Sequence, residues 1–125
     1  MEDIAPRSHR LEKISELIKE EVGKIILKEI DIDKNLLLTV THVKTSSDLA
    51  HATIFISTIV KEKEGEALEE LQYNAGAIQY ILNRKLRMKP IPRIRFEIDA
   101  TYEKEQRLYD ILAHTEKEEH DANDH

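Results

Sequence analysis

The chain has 125 residues, 40% apolar and 35% charged, enough for one hydrophobic core but not for two. It contains no cysteine, which excludes a disulfide scaffold, a thiolate zinc site and a cysteine nucleophile. Nineteen basic and 25 acidic residues give a net charge of −6. Taken alone, that total argues against nucleic acid as a partner, because phosphate binding draws on clustered lysine and arginine.

No window approaches the roughly 18 consecutive apolar residues of a membrane span. The opening MEDIAPRSHR lacks an apolar h-region, so no secretory signal is expected and the chain reads as cytoplasmic.

Residues 8–29 place Leu11, Ile14, Leu17, Ile18, Val22, Ile25 and Ile26 at three- and four-residue spacing. That period predicts an amphipathic helix with its apolar face on the core and Ser8 as N-cap. Gly23 weakens its later turns by roughly 1 kcal/mol relative to alanine. NLLLTVTHVK and AHATIFISTIV then flank the polar TSSDL, which predicts a hairpin. Leu36, Leu38 and Val40 share one face of the first strand; Ala52, Ile54 and Ile56 share one face of the second. Both sets are even-numbered, so the expected register sets Val40 near Ile54 and His42 near Ala52.

Beyond the charged KEKEGEALEE, Leu68, Leu71, Ala75, Ile78, Leu82 and Leu86 form an unbroken helical stripe that contains Gly76. An interior glycine argues for a break while the stripe keeps its phase. The expectation is therefore two helical segments on one core, joined at a tight kink near Asn74–Gly76. Pro90 and Pro92 end the helix. In IPRIRFEIDA, Pro92, Ile94, Phe96 and Ile98 alternate strictly with Arg93, Arg95, Glu97 and Asp99, predicting a strand with one buried and one wet face. A short helix is expected over 103–113, with Leu108, Ile111 and Leu112 as its apolar side. The last stretch, HTEKEEHDANDH, has almost no apolar content, so 115–125 is expected to be an acidic disordered tail after a single domain over 1–114. Helices on one face of a three-stranded sheet make an α+β sandwich.

Signals for catalysis are poor. There is no phosphate-binding glycine loop, no GxGxxG and no HExxH, and the serines lie outside any nucleophile elbow. Asp48 is expected to hydrogen-bond the backbone of its own turn. His42 and His51 fall on opposite faces in the even register, so they do not share a metal, and the histidines of the tail belong to a solvated segment. No catalytic residue, metal site or cofactor is expected.

The distribution of charge says more than its sum. From Gly76 to Phe96 the chain carries Arg84, Lys85, Arg87, Lys89, Arg93 and Arg95 and no acidic residue. Tyr73, Ala77, Tyr80, Arg84 and Arg87 follow helical spacing and share a face beside the apolar stripe. Tyrosine, arginine and a nearby glycine suit RNA: guanidinium pairs with phosphate, an aromatic ring stacks a base, and glycine permits close backbone approach. The same patch also suits an acidic protein surface, the reading of a protein-interaction adaptor.

In order and spacing, TVTHVKTSSDLAHATIFIS followed by AGAIQYILNRKLRMKPIPRIRFEIDAT resembles the ribosome-binding factor A family over residues 7–112. The motifs that carry it are the S-x-D-L hairpin, the A-T-x-x-x-S ending, the glycine-containing kink, the basic L-x-M-x-P-x-P-x-I-x-F segment and Asp99. The resemblance implies a KH-like fold, helix–strand–strand–helix–kink–helix–strand, without the GxxG loop of typical KH domains, and this chain has no GxxG. The family usually has Ala-x-Gly at the kink; here Asn74, Ala75 and Gly76 stand there, and the Asn74 oxygen is suited to capping the second segment.

It further implies a monomeric, non-enzymatic assembly factor. Such a factor binds the free small ribosomal subunit and its ribosomal RNA and assists late rRNA maturation, notably in the cold. The candidate RNA surface is Asn74, Gly76 and Tyr80 with Arg84, Lys85, Arg87 and Lys89. Arg7 and Arg10 are secondary candidates, while Arg93 and Arg95 either extend the patch or solubilise the sheet.

Overall fold

In the computed structural model, which describes residues 4–101 and 107–114, the N-terminal stripe forms helix α1, Ile4–Lys28. Ile18, Val22 and Ile25 are fully buried, and Leu11, Ile14 and Ile26 are half-buried beside them. Leu17 departs from the expected face: it sits at the edge of the stripe and stays 42% exposed. Ser8 does not cap the helix, whose backbone begins four residues earlier.

Strands β1 (Leu38–Thr45) and β2 (His51–Thr58) form the hairpin, and β3 (Arg93–Ile98) completes a sheet of order β1-β2-β3. β1 runs antiparallel to β2, and β3 runs parallel to it. A parallel neighbour requires a crossover, supplied here by helix α2, Glu64–Lys85. In β3 the expected alternation holds through Phe96, with Pro92, Ile94 and Phe96 buried and Arg93 and Arg95 exposed; beyond it Glu97, Ile98 and Asp99 are all half-buried. Both helices pack on the face that carries these apolar residues. Ile54, Ile56, Leu71, Ile78 and Leu82 are fully buried between the layers, each contributing roughly 1.5–3 kcal/mol.

The hairpin register differs from expectation. Val40 pairs with Ile56, not Ile54, and the ladder shifts between Val40 and His42, so that His42 opposes Phe55 and Val43 opposes Ile54. Thr41 is the extra residue of a β-bulge, which swaps the parity of the buried face. The even-numbered Leu38 and Val40 point inward before it, and the odd-numbered Val43 and Thr45 after it. His42 is thereby turned to the outer face, the same face as His51.

α2 also differs. Where two segments were expected, one α-helix runs without interruption from Glu64 to Lys85. Gly76 has no positive φ and takes ordinary helical backbone, because the continuous apolar stripe holds both halves on the same core. Asn74 does not cap a second segment: its side-chain amide Nδ2 donates to the Glu70 carbonyl one turn earlier, at 2.8 Å.

α2 is stitched to the sheet by Gln79. Its Oε1 accepts from the Ile94 N–H at 2.8 Å, and its Nε2 donates to the Pro92 carbonyl at 3.1 Å. One side chain thus pairs with the start of β3 as a neighbouring strand would. On the other flank, the hydroxyls of Ser15 in α1 and Thr45 in β1 lie 2.8 Å apart. Residues 107–114 are helical, but Leu108, Ile111 and Leu112 are 52–58% exposed and add nothing to the core. The tail over 115–125 lies outside the described residues.

Candidate nucleic-acid interface

The last turn of α2 carries Arg84 and Lys85, cations at the negative end of the helix dipole. Arg84 is fixed by the residue one turn before it. Its Nη1 donates to the Tyr80 hydroxyl at 3.1 Å, and its guanidinium carbon lies 5.7 Å from the Tyr80 ring centroid. Tyr80 is 62% exposed and Tyr73, two turns earlier on the same face, is 90% exposed. Gly76 is exposed between them, and Asn74 is half-buried with its amide already committed to Glu70.

Arg87 is not on the helical face that its spacing suggested. Leu86 already has extended backbone, so Arg87 and Lys89 project from the connection to β3, both exposed. The Lys89–Pro90 peptide is cis. Lys85 is not a free cation, because its Nζ lies 3.2 Å from Glu29 Oε1 just beyond the end of α1.

That ion pair also places the remaining candidates. It brings the C-terminal ends of α1 and α2 together, whereas Arg10 lies 18 residues before Lys28, about 27 Å away at 1.5 Å per residue. Arg10 is exposed but does not join the patch. Arg7 is in α1, and its side chain lies outside the described residues. Arg93 and Arg95 stand on the sheet face opposite the helices. Arg95 is held there by Thr53 Oγ1, 3.1 Å from its Nε, and by Glu97 Oε1, 3.1 Å from its Nη2. The helix-end cluster therefore comprises Tyr80, Arg84, Arg87 and Lys89, with Lys85 neutralised at its border.

Sequence reasoning passed over a second cluster, on the outer sheet face. The Thr41 hydroxyl, presented by the bulge, donates to Asp99 Oδ2 at 2.6 Å, across the middle strand. His42 Nδ1 lies 3.4 Å from the same oxygen, and its ring stacks on Phe55 at 4.2 Å between centroids and 11° between planes. Asp99 Oδ1 accepts from the Thr101 N–H at 2.9 Å. The Thr41 bond above all, with the Thr101 donors and His42 behind it, lowers the Asp99 carboxyl to about 2 against the opposing effect of burial. The sequence signal was the parity change from Val40 to Val43, two apolar residues of one strand that only a bulge turns to the same side.

In the hairpin loop Asp48 behaves as expected. Its Oδ1 accepts from the Ser46 hydroxyl at 2.6 Å and from the Ala50 N–H at 3.0 Å, bonds that hold its carboxyl below the ordinary range. The S-x-D-L motif is thus a self-bonded turn, with Leu49 in left-handed backbone at φ 61°. Among the described residues no group of histidines and carboxylates has the proximity to hold a metal ion, and no helix is long and apolar enough to cross a membrane.

A three-stranded mixed sheet with helices on one face, an α2 crossover and a cationic helix end define a KH-like α+β domain. The family model described as ribosome-binding factor A matches residues 10–112. The chain is 39% identical over 114 residues to ribosome-binding factor A of Rubrobacter xylanophilus, covering 91% of this chain and 93% of that one. To the protein of that name from Caldanaerobacter subterraneus it is 35% identical over 119 residues, covering 94% and 95%. The chain belongs to the ribosome-binding factor A family.

Among solved structures, the crystal structure of the Thermus thermophilus protein superposes with a TM-score of 0.60 at 24% identity, over 69% of this chain and 92% of that one. A homology model of Thermus thermophilus ribosome-binding factor A, fitted into the cryo-EM map of a 30S complex of that factor, gives 0.55 at 27% identity, over 67% and 89%.

Proposed function

We propose that this chain binds the free small ribosomal subunit through its ribosomal RNA and assists late rRNA maturation, above all in the cold. It acts in the cytoplasm as a monomeric, non-enzymatic assembly factor. The observation that carries the reading is the family match across residues 10–112, supported by the 30S complex of the Thermus thermophilus relative. The polarised charge supports RNA as the surface contacted. Arg84, Arg87 and Lys89 neutralise phosphates, and Tyr80, held by Arg84, offers a ring beside them. Held together, such contacts keep an RNA junction in one arrangement while the subunit matures.

Each phosphate neutralised lowers log affinity by roughly 0.7–0.9 per tenfold rise in salt. The test is co-sedimentation of the purified chain with small subunits across a salt series, with Arg84→Glu/Arg87→Glu alongside. A steep salt slope, and loss of co-sedimentation in the variant, are expected. A flat salt response overturns the RNA reading, and unchanged binding by the variant overturns the helix end as the surface that meets the RNA. Migration in a cell lysate only with ribosome-free protein identifies an adaptor instead.

A further inference from the structure

The face of the sheet turned away from α1 and α2 carries an ordered array that the helix end does not need. Three rows of side chains cross it in register. His51 is level with Arg93; Lys44 with Thr53 and Arg95; His42 with Phe55 and Glu97. Two rows are cationic and the third is aromatic. No aliphatic side chain stands in these rows, and the stacked Phe55 and His42 are their apolar part.

The aromatic row is pre-organised. The His42 ring lies flat against Phe55, and Asp99 beside its Nδ1 sets its rotation. Because β1 is an edge strand among the described residues, His42 stands at the border of the sheet, and its side chain is 49% exposed. A planar ring arriving from that edge continues the Phe55–His42 stack. The adjacent row is oriented too, since Thr53 and Glu97 hold the Arg95 guanidinium in place. Lys44 and Arg93 have no ion pair among the described residues. Glu97 and Asp99 repel phosphate at the far end, so a polyanion is directed toward Lys44 and Arg93.

We propose that this face binds a single-stranded stretch of RNA, with one base stacked on the exposed face of His42. The neighbouring phosphates lie on Lys44 and Arg93, beside Arg95, whose guanidinium is paired with Glu97. A single strand is required because the stacked base must be free of its own neighbours. The proposal rests on the reading that the partner is ribosomal RNA, and adds to it a second contact on the opposite side of the molecule from α2.

The test is amide chemical-shift mapping of the full chain with octa-adenylate at low salt, with binding constants for variants. Shifts at Lys44, Phe55 and Arg95 are expected. His42→Ala is expected to bind about tenfold more weakly, while His42→Phe, which keeps an aromatic face, stays within about twofold. Lys44→Glu/Arg93→Glu, remote from the Thr41–Asp99 bond, is expected to abolish the sheet shifts. Shifts confined to residues 80–89, or an unaffected His42→Ala, overturn the proposal and leave the helix-end reading standing. Sheet shifts together with undiminished subunit binding by Arg84→Glu/Arg87→Glu overturn the helix-end reading instead. In the assembled complex, a photocrosslinker at position 44 is expected to capture RNA. Capture of a ribosomal protein there overturns the proposal in favour of a protein partner.

Discussion

The Thr41 hydroxyl and the Asp99 carboxylate, 2.6 Å apart, join the first and third strands of a sheet in which those strands are not neighbours. The bond passes over the middle strand and exists only because the bulge makes Thr41 an extra residue. It holds the Asp99 carboxyl at about 2, below its ordinary 3.8. A folded-state value below the unfolded one means stability that is present above 3.8 and lost as pH falls toward 2. Replacing Asp99 by Asn should remove up to about 2 kcal/mol at pH 7 and flatten the acid limb of stability against pH. Urea unfolding at pH 7, 4 and 2.5 measures both effects.

Gln79 supplies both hydrogen bonds that a neighbouring strand would give to the start of β3. Gln79→Leu should leave the Ile94 N–H and the Pro92 carbonyl without these partners, at a cost of about 1–3 kcal/mol. Hydrogen exchange should show the Ile94 amide losing protection before the centre of β2 does.

Arg84 and Lys85 are adjacent cations with different surroundings. Arg84 leans on the exposed Tyr80, and Lys85 is paired with Glu29. Arg84→Ala is therefore expected to reduce the salt slope of subunit binding by roughly one phosphate contact, and Lys85→Ala by less. An equal loss from both variants, read by co-sedimentation, would show that the Glu29 pair opens on binding.

Gly76 occupies helical backbone with open space where a Cβ would stand. Gly76→Ala should stabilise α2 by up to about 1 kcal/mol, seen as a raised Tm. If RNA backbone approaches Gly76 closely, the same variant binds subunits more weakly despite being more stable. The two measurements separate a structural glycine from a contact glycine.

Much of the fold was legible because burial is periodic. The helical spacing from Leu11 to Ile26 and from Leu68 to Leu86, and the alternation of Pro92, Ile94 and Phe96 with Arg93 and Arg95, each report a face turned to the core. The bulge at Thr41 was harder to see, since the even-numbered faces on either side of it look continuous until Val43. The break expected at Gly76 failed because an apolar stripe shared by both halves outweighs a glycine's local cost of about 1 kcal/mol. For the site, the composition of the helix end was plain, while the outer-face cluster was hidden, because its members come from residues 41, 42, 55 and 99.

By itself the sequence determined the order of helices and strands, most core-facing residues of the helices and of β3, and the basic segment from Gly76 to Phe96. Those features follow from local spacing and composition. Tertiary structure alone decided the register of the hairpin, the face on which His42 lies and which cations are free. Glu29 neutralises Lys85 across 56 positions, and Asp99 meets Thr41 across 58. A hydrogen bond or ion pair depends on distance in space, and no periodicity along the chain encodes which distant side chain will arrive there.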